Sequence, residues 1–99
     1  MSYEFGIIIS YWQKGRSPVE RNQFNRKFLG YKDKSQFGKY TYYRGGLITE
    51  IPHVHVSNSL FIILEDDLKQ VKNFCDDYNV DLFIRKVVLT KSDIKALLK

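Results

Sequence analysis

Residues 39–57, KYTYYRGGLITEIPHVHVS, are the stretch that decides the predicted fold. Gly45-Gly46 separates two runs of strand-forming residues. A two-residue glycine loop suits a primed β-turn, because both of its positions favour positive φ. The pattern therefore predicts a β-hairpin in which Tyr43 pairs with Ile48 across the turn.

The same stretch runs on through Pro52 into a second predicted strand. Proline cannot donate to a ladder, so it marks an edge, a bulge or a strand start. Beyond it, His53 and His55 project from one face of the strand, and Val54 and Val56 project from the other. The plainer interpretation places the valines in the core and the histidines in solvent, since histidine is commonly exposed.

Towards the N-terminus, residues 3–12 are almost continuously β-branched or aromatic. Such a run predicts a strand that is buried on both faces and central in its sheet. Ser17 and Glu20 then form a capping-box pattern that predicts a helix start. Phe24 and Phe28, one turn apart, should face the core. The helix should end before Gly30, and the polar residues 31–38 are predicted to be a loop.

Towards the C-terminus, residues 60–64 are either a buried strand or the start of a helix, and periodicity does not separate the two. We favour the strand, because the acidic residues 65–67 suit a helix start of their own. That helix should extend to Tyr78. Residues 80–89 then predict a strand, and the capping-box pattern that begins at Thr90 predicts a terminal helix.

The element order β-α-β-β-β-α-β-α indicates an α+β protein. The prediction is a single compact domain over residues 1–99, with a mostly antiparallel sheet, a β-hairpin and helices packed on one face. A hydrophobic content of 43% argues against a disordered chain. The only cysteine, Cys75, falls on the apolar face of a helix and is predicted to be a core residue. The lack of an internal disulfide and of a signal peptide predicts an intracellular protein.

The charge of the chain is unevenly distributed. The net charge is +5. Residues 14–44 hold nine lysines and arginines against two acids, whereas residues 51–99 hold seven of each. Such asymmetry is typical of a face that binds phosphates or an acidic partner, and it is also found on ordinary solvated surfaces.

Basic residues in this segment alternate with aromatic ones, a combination that single-stranded nucleic acid requires. We therefore expect a nucleic-acid-binding protein, with no cofactor, whose binding residues are Lys14, Arg16, Arg21, Arg26, Lys27, Lys32, Lys34, Lys39 and Arg44. The alternative is an interaction protein that binds or inhibits a host factor through exposed aromatic residues. No apolar run approaches membrane-spanning length, so we expect no membrane partner. An exposed hairpin edge would allow a strand-paired homodimer.

The tripeptide His53-Val54-His55 resembles the His-hydrophobe-His motif of HUH nickases and rolling-circle Rep proteins. The resemblance implies a divalent metal held by the two histidines, and a tyrosine nucleophile for which Tyr78 is the candidate. A second resemblance, to tRNA-splicing endonucleases, implies metal-free cleavage by Tyr42, His53 and Lys86. Either resemblance would make the protein a nuclease.

The stretches KYTYYRGGLITEIPHVHVS and LKQVKNFCDDYNVDLFIRKVV resemble small uncharacterised proteins of crenarchaeal filamentous viruses, the lipothrixviruses and rudiviruses of the Acidianus filamentous virus type. This resemblance implies a virus-encoded soluble protein that acts in the cytoplasm of a hyperthermophilic host. It implies no particular activity.

Overall fold

The computed structural model describes residues 5–13, 15–35, 38 and 40–98. The contacts of the chain define two units. Residues 1–14 and 51–99 form one, which we call the sheet unit, and residues 15–50 form the other, which we call the basic unit. The prediction that residues 1–99 make a single domain stays a prediction.

Within the described ranges the chain forms six strands and three helices. The strands are β1 (Phe5–Trp12), β2 (Tyr31–Ser35), β3 (Tyr40–Arg44), β4 (His53–Ser57), β5 (Leu60–Ile63) and β6 (Asp81–Val88). The helices are α1 (Pro18–Leu29), α2 (Leu68–Asp77) and α3 (Lys91–Leu97). Every strand pairing is antiparallel. The predicted α+β class with antiparallel sheets is confirmed.

The sheet unit contains four of the strands, in the order β4-β5-β1-β6. As predicted, β1 is central, with β5 on one side and β6 on the other. Its residues Ile7, Ile9 and Tyr11 are buried on one face, and the register places Ile63 opposite Ile7 and Phe61 opposite Ile9. The rings of Tyr11 and Phe61 stack with their centroids 6.4 Å apart. We call this side of the sheet the core face.

Two helices belong to the same unit. Helix α2 follows a 3₁₀ turn at Glu65–Asp67 and buries Val71 and Cys75. Helix α3 begins with the predicted capping box: the Thr90 hydroxyl accepts from the Asp93 amide, and the Asp93 carboxylate accepts from the Thr90 amide. In the described residues no helix is long and apolar enough to cross a membrane.

Helix α1 opens the basic unit as the sequence predicts. The Ser17 hydroxyl accepts from the Glu20 amide, and the Glu20 carboxylate accepts from the Ser17 amide. The rings of Phe24 and Phe28 are fully buried and stack with their centroids 5.2 Å apart. Gly30, at φ +83°, ends the helix as expected for a left-handed glycine.

The predictions for the rest of the basic unit are wrong in two respects. Residues 31–35, predicted as loop, form β2 and pair with β3, so that Tyr31 lies opposite Arg44. The predicted hairpin at Gly45-Gly46 does not form, because residues Leu47–Glu50 make a 3₁₀ turn instead of a strand. The hairpin strands are thus β2 and β3, on the N-terminal side of the glycines.

Gly45 and Gly46 do not form a primed turn, and Gly46 allows close packing of the backbone. Positive φ occurs at neither Gly45 nor Gly46. A Cβ atom on Gly46 would collide with the backbone of Phe28 and Gly30. The Thr49 hydroxyl also accepts from the Gly46 amide at 3.0 Å and donates to the Gly46 carbonyl at 2.7 Å. These two bonds stabilise the 3₁₀ turn, which competes with a strand for the same backbone.

Candidate nucleic-acid interface

The net charge of the protein resides in one unit. Residues 15–50 contain eight lysines and arginines against three acids, a net charge of +5, and the remaining residues contain eight of each. The predicted basic segment, drawn from sequence as residues 14–44, therefore nearly coincides with a structural unit. Long-range attraction of an anionic partner would act on this unit.

The predicted binding residues come from three elements of the unit. Arg16 precedes α1 and is half-buried. Arg21, Arg26 and Lys27 are exposed on α1, where a spacing of 3.6 residues per turn directs them to different sides of the helix. The exposed side chains on the strands are Lys32, Lys34 and Arg44. Lys14 and Lys39 lie outside the described residues.

One face of the β2–β3 pair presents cations with no neighbouring acid on either strand. The register places Lys32 opposite Tyr43 and Lys34 opposite Thr41, and side-chain alternation puts all four on the same face. All four are exposed, and Tyr43 retains 61% of its accessible surface. We call these four residues the lysine face. Its two lysines are two residues apart on an extended strand, about 7 Å along the chain.

Tyr43 is held at one end of the lysine face. Its hydroxyl donates a hydrogen bond to the Leu29 carbonyl at the end of α1, over 3.0 Å. The bond satisfies one of the carbonyls that a helix C-terminus leaves without an intrahelical donor. It also restricts the ring while leaving most of its surface exposed. A ring that is held in place and exposed is suited to stacking on a base.

On the opposite face of the same two strands, the nearby cations contact a carboxylate or an aromatic ring. The Arg44 guanidinium contacts the Asp33 carboxylate at 3.3 Å. The Arg26 guanidinium lies over the Tyr31 ring, 4.7 Å from its centroid. Tyr42, 51% exposed, lies directly opposite Asp33. This face therefore offers an anion less free positive charge than the lysine face.

The sequence predicts Lys32 and Lys34 in the basic segment, but the face that they share with Tyr43 depends on β2, in a stretch for which the sequence predicts a loop. The available signal was the alternation in YKDKS, where the lysines occupy every second position. That alternation is between polar residues, which carries no hydrophobic signal for a strand.

His53 and His55 lie on the core face of the sheet. The register places His53 opposite Ile63 and His55 opposite Phe61. The predicted orientation of the valines towards the core is wrong, since Val54 lies opposite Ile62 on the other face and Val56 is 50% exposed. His55 is exposed, as predicted. Phe61 and Ile63 are buried on the core face, and the histidines share that face because β4 pairs with β5 in this register.

Each histidine has a neighbour that restrains its ring. His53 Nδ1 lies 3.0 Å from the Ile51 carbonyl oxygen, so that a proton on Nδ1 completes a hydrogen bond. His55 is exposed at the edge and stacks on Phe61, with centroids 4.4 Å apart. Among the described residues, no group of three histidine, cysteine, aspartate or glutamate side chains is arranged to hold a metal ion.

The remaining candidate catalytic residues are dispersed. Tyr78 follows the last residue of α2 and packs on Phe74, with ring centroids 4.9 Å apart. Lys86 lies on β6, three strand positions from His53 on β4, or about 14 Å at ordinary strand spacing. The register places the two residues in one row on the same face of the sheet, and the endonuclease hypothesis stays a prediction.

Cys75 is fully buried, as predicted for a core residue. Burial raises the pKa of its thiol to about 12, with a smaller contribution from the Asp76 carboxylate. A thiol in this state is a poor nucleophile.

Comparison of the chain with protein-family models, with curated proteins and with solved structures finds no match in any of the three.

Proposed function

We propose that the protein binds nucleic acid through the basic unit, with the lysine face as the contact surface. The observation that carries this proposal is the pairing of Lys32 and Lys34 with an exposed, restrained Tyr43 on one strand pair. The lysines would neutralise backbone phosphates, and the tyrosine ring would stack on a base. Single-stranded nucleic acid is the favoured class, because a stacking platform requires an unpaired base.

The distribution of net charge also supports the basic unit as the binding region. The unit carries +5 while the rest of the chain is neutral, so the attraction of a polyanion is directed to one part of the molecule. The face bearing Arg44 contributes less, because Asp33 already neutralises that guanidinium. We therefore expect Lys32 and Lys34 to contribute more to affinity than Arg44.

The test is fluorescence anisotropy with labelled single- and double-stranded DNA and RNA over a salt series. The protein should bind single strands best, and its affinity should fall linearly with salt on a logarithmic plot. In the double variant Lys32→Ala/Lys34→Ala the slope of that plot should fall by about 1.4, since each lost phosphate contact on a single strand contributes about 0.7.

The matched control is Lys69→Ala/Lys72→Ala. It removes the same charge from two exposed lysines on α2, in the neutral sheet unit, at helix positions where alanine is favourable. This control should leave the slope unchanged. An absence of binding at low salt, or equal losses in the two double variants, would contradict the proposal.

A further inference from the structure

Strand β6 forms an outer edge of the four-stranded sheet and runs for eight residues. Among the described residues it pairs only with β1. An edge of this length presents a row of backbone donors and acceptors that can pair with another strand. Its sequence also places charged and aromatic side chains in a self-complementary order.

The backbone groups on the free edge are those of Leu82, Ile84 and Lys86. The Tyr11 amide donates to the Ser59 carbonyl, so the odd-numbered groups of β1 point towards β5 and the even-numbered ones towards β6. Phe83 lies opposite Ser10, and its backbone amide and carbonyl point towards β1. The backbone groups of Leu82 and Ile84 therefore point away from β1, to the free edge. Consistent with this, the Ile84 carbonyl accepts a 2.6 Å bond from the Arg85 side chain.

We infer that a second copy of this chain pairs with the β6 edge, antiparallel and centred on Phe83, so that two four-stranded sheets join into one. In this register Phe83 meets Phe83 of the second copy at the two-fold axis. Leu82 exchanges backbone hydrogen bonds with Ile84, and Asp81 lies opposite Arg85, each contact occurring twice.

Charge complementarity selects this register over its neighbours. Centring on Arg85 would place two guanidinium groups directly opposite each other, which is destabilising. Centring on Ile84 would place Asp81 opposite Val87 and leave the carboxylate without a cation. Only centring on Phe83 pairs both ends of the Asp81–Arg85 segment with opposite charge.

Two exposed aromatic side chains lie near the proposed axis. Phe83 is 39% exposed and Trp12 is 48% exposed. Both lie on the face opposite the core face, and Trp12 is directly opposite Asp81 in the β1–β6 ladder. The Arg85 guanidinium already lies 4.2 Å from the centroid of the Phe83 ring, so aromatic and cationic groups are adjacent at the axis.

Sedimentation velocity over a concentration series tests the association. The wild-type chain should approach twice its 11.7 kDa mass as concentration rises. Asp81→Arg and Arg85→Asp should each raise the dissociation constant about tenfold, because each creates two like-charge pairs. The double variant Asp81→Arg/Arg85→Asp should restore association, which a merely damaged fold would not do.

Cross-linking tests the register. Cα atoms opposite each other at a non-hydrogen-bonded antiparallel position are about 4.5 Å apart, within disulfide range. Phe83→Cys should therefore oxidise to a covalent dimer. Arg85→Cys should not, because its two copies would be about 14 Å apart. The native Cys75 is buried and does not compete.

A wild-type chain that stays monomeric at every concentration would overturn the inference. A dimer that is unaffected by both charge reversals would overturn it as well, as would equal cross-linking of Phe83→Cys and Arg85→Cys. The inference does not depend on nucleic-acid binding, since it concerns the neutral sheet unit and is measured without nucleic acid.

Discussion

The imidazole of His55 lies nearly flat on the ring of Phe61, with the centroids 4.4 Å apart and the planes inclined by 15°. Phe61 is 1% exposed and belongs to the core of the sheet unit. The histidine therefore covers an edge of the core from the neighbouring strand β4. This contact gives His55 a packing role.

This stacking predicts a measurable contribution to stability. His55→Ala should lower the free energy of unfolding by about 1 kcal/mol, because the aromatic pair is lost, whereas His55→Phe should retain most of it. Chemical denaturation gives the values. The matched control is Val56→Ala, at an exposed neighbouring position, which should change stability by less than about 0.5 kcal/mol. Equal effects of His55→Ala and Val56→Ala would contradict a packing role for the histidine.

The two adjacent glycines should respond differently to alanine. Gly46→Ala should destabilise the protein by about 1–3 kcal/mol, since the new methyl group would meet the backbone of Phe28 and Gly30. Gly45→Ala should cost less, because its Cβ would approach only the Thr49 hydroxyl, at 2.9 Å. Thermal or denaturant unfolding distinguishes them. Similar losses at both positions would instead favour a primed turn, in which each glycine needs positive φ.

The capping box of α1 should contribute to stability through its hydroxyl. Ser17→Ala should lower the free energy of unfolding by about 1 kcal/mol, because the Glu20 amide loses its acceptor. Ser17→Asp should retain that stability, since aspartate is an equally good N-cap. Denaturant titration measures both variants. If the aspartate variant loses as much as the alanine variant, the hydroxyl is not acting as a cap.

The buried thiol predicts a loss of stability in alkali. The pKa of Cys75 is raised from 9.0 to about 12 by burial, so the unfolded chain ionises first. The stabilisation is complete below pH 9 and is lost as the pH rises to about 12, at ~1.4 kcal/mol per pH unit. Burial raises the pKa of Tyr11 from 10.0 to about 12, and this adds a second slope that develops as the pH passes through 10.

Between pH 9 and 10 the thiol therefore contributes more to the slope than Tyr11 does. Unfolding free energies measured across this range should decline more steeply for the wild type than for Cys75→Ala, whatever the constant cost of the cavity. Parallel declines in the two proteins would show that the thiol does not ionise preferentially on unfolding.

Two variants of Tyr43 distinguish the contribution of ring stacking from that of the hydroxyl hydrogen bond. Tyr43→Phe keeps the ring and removes the bond to the Leu29 carbonyl, so single-strand affinity should change little. Tyr43→Ala should lower that affinity about five- to a hundredfold, the range for loss of one base–aromatic stack. Anisotropy at constant salt gives both values. A phenylalanine variant as weak as the alanine variant would mean that the hydroxyl, and not the ring alone, carries the contribution of Tyr43 to affinity.

Much of this fold was predictable from local sequence signals. The capping boxes at Ser17 and Thr90 lie within four residues of sequence, and the structure contains both. The continuous apolar run of β1 predicted its central position correctly, but the predicted burial of both faces is wrong, since Trp12 on the face opposite the core face is 48% exposed. These signals are short-range, so the surrounding fold need not be known.

The candidate site depended on contacts that no local pattern carries. Gly45-Gly46 looked like a turn, but the close approach of residue 46 to Phe28 and Gly30 makes it a packing contact. Strand β3 pairs with β2, which precedes it in the chain, and this pairing brings Lys32 beside Tyr43. The position of the histidines likewise followed from the register of β4 on β5.

The sequence by itself determined the α+β class, the helix starts and the concentration of positive charge in one segment, because each depends on residue type and near neighbours. Only the tertiary structure decided which strands form the hairpin, which face the histidines occupy and which lysines share a surface with an exposed tyrosine. A shift of one residue in strand register moves every side chain to the other face, and register is set by packing between distant parts of the chain.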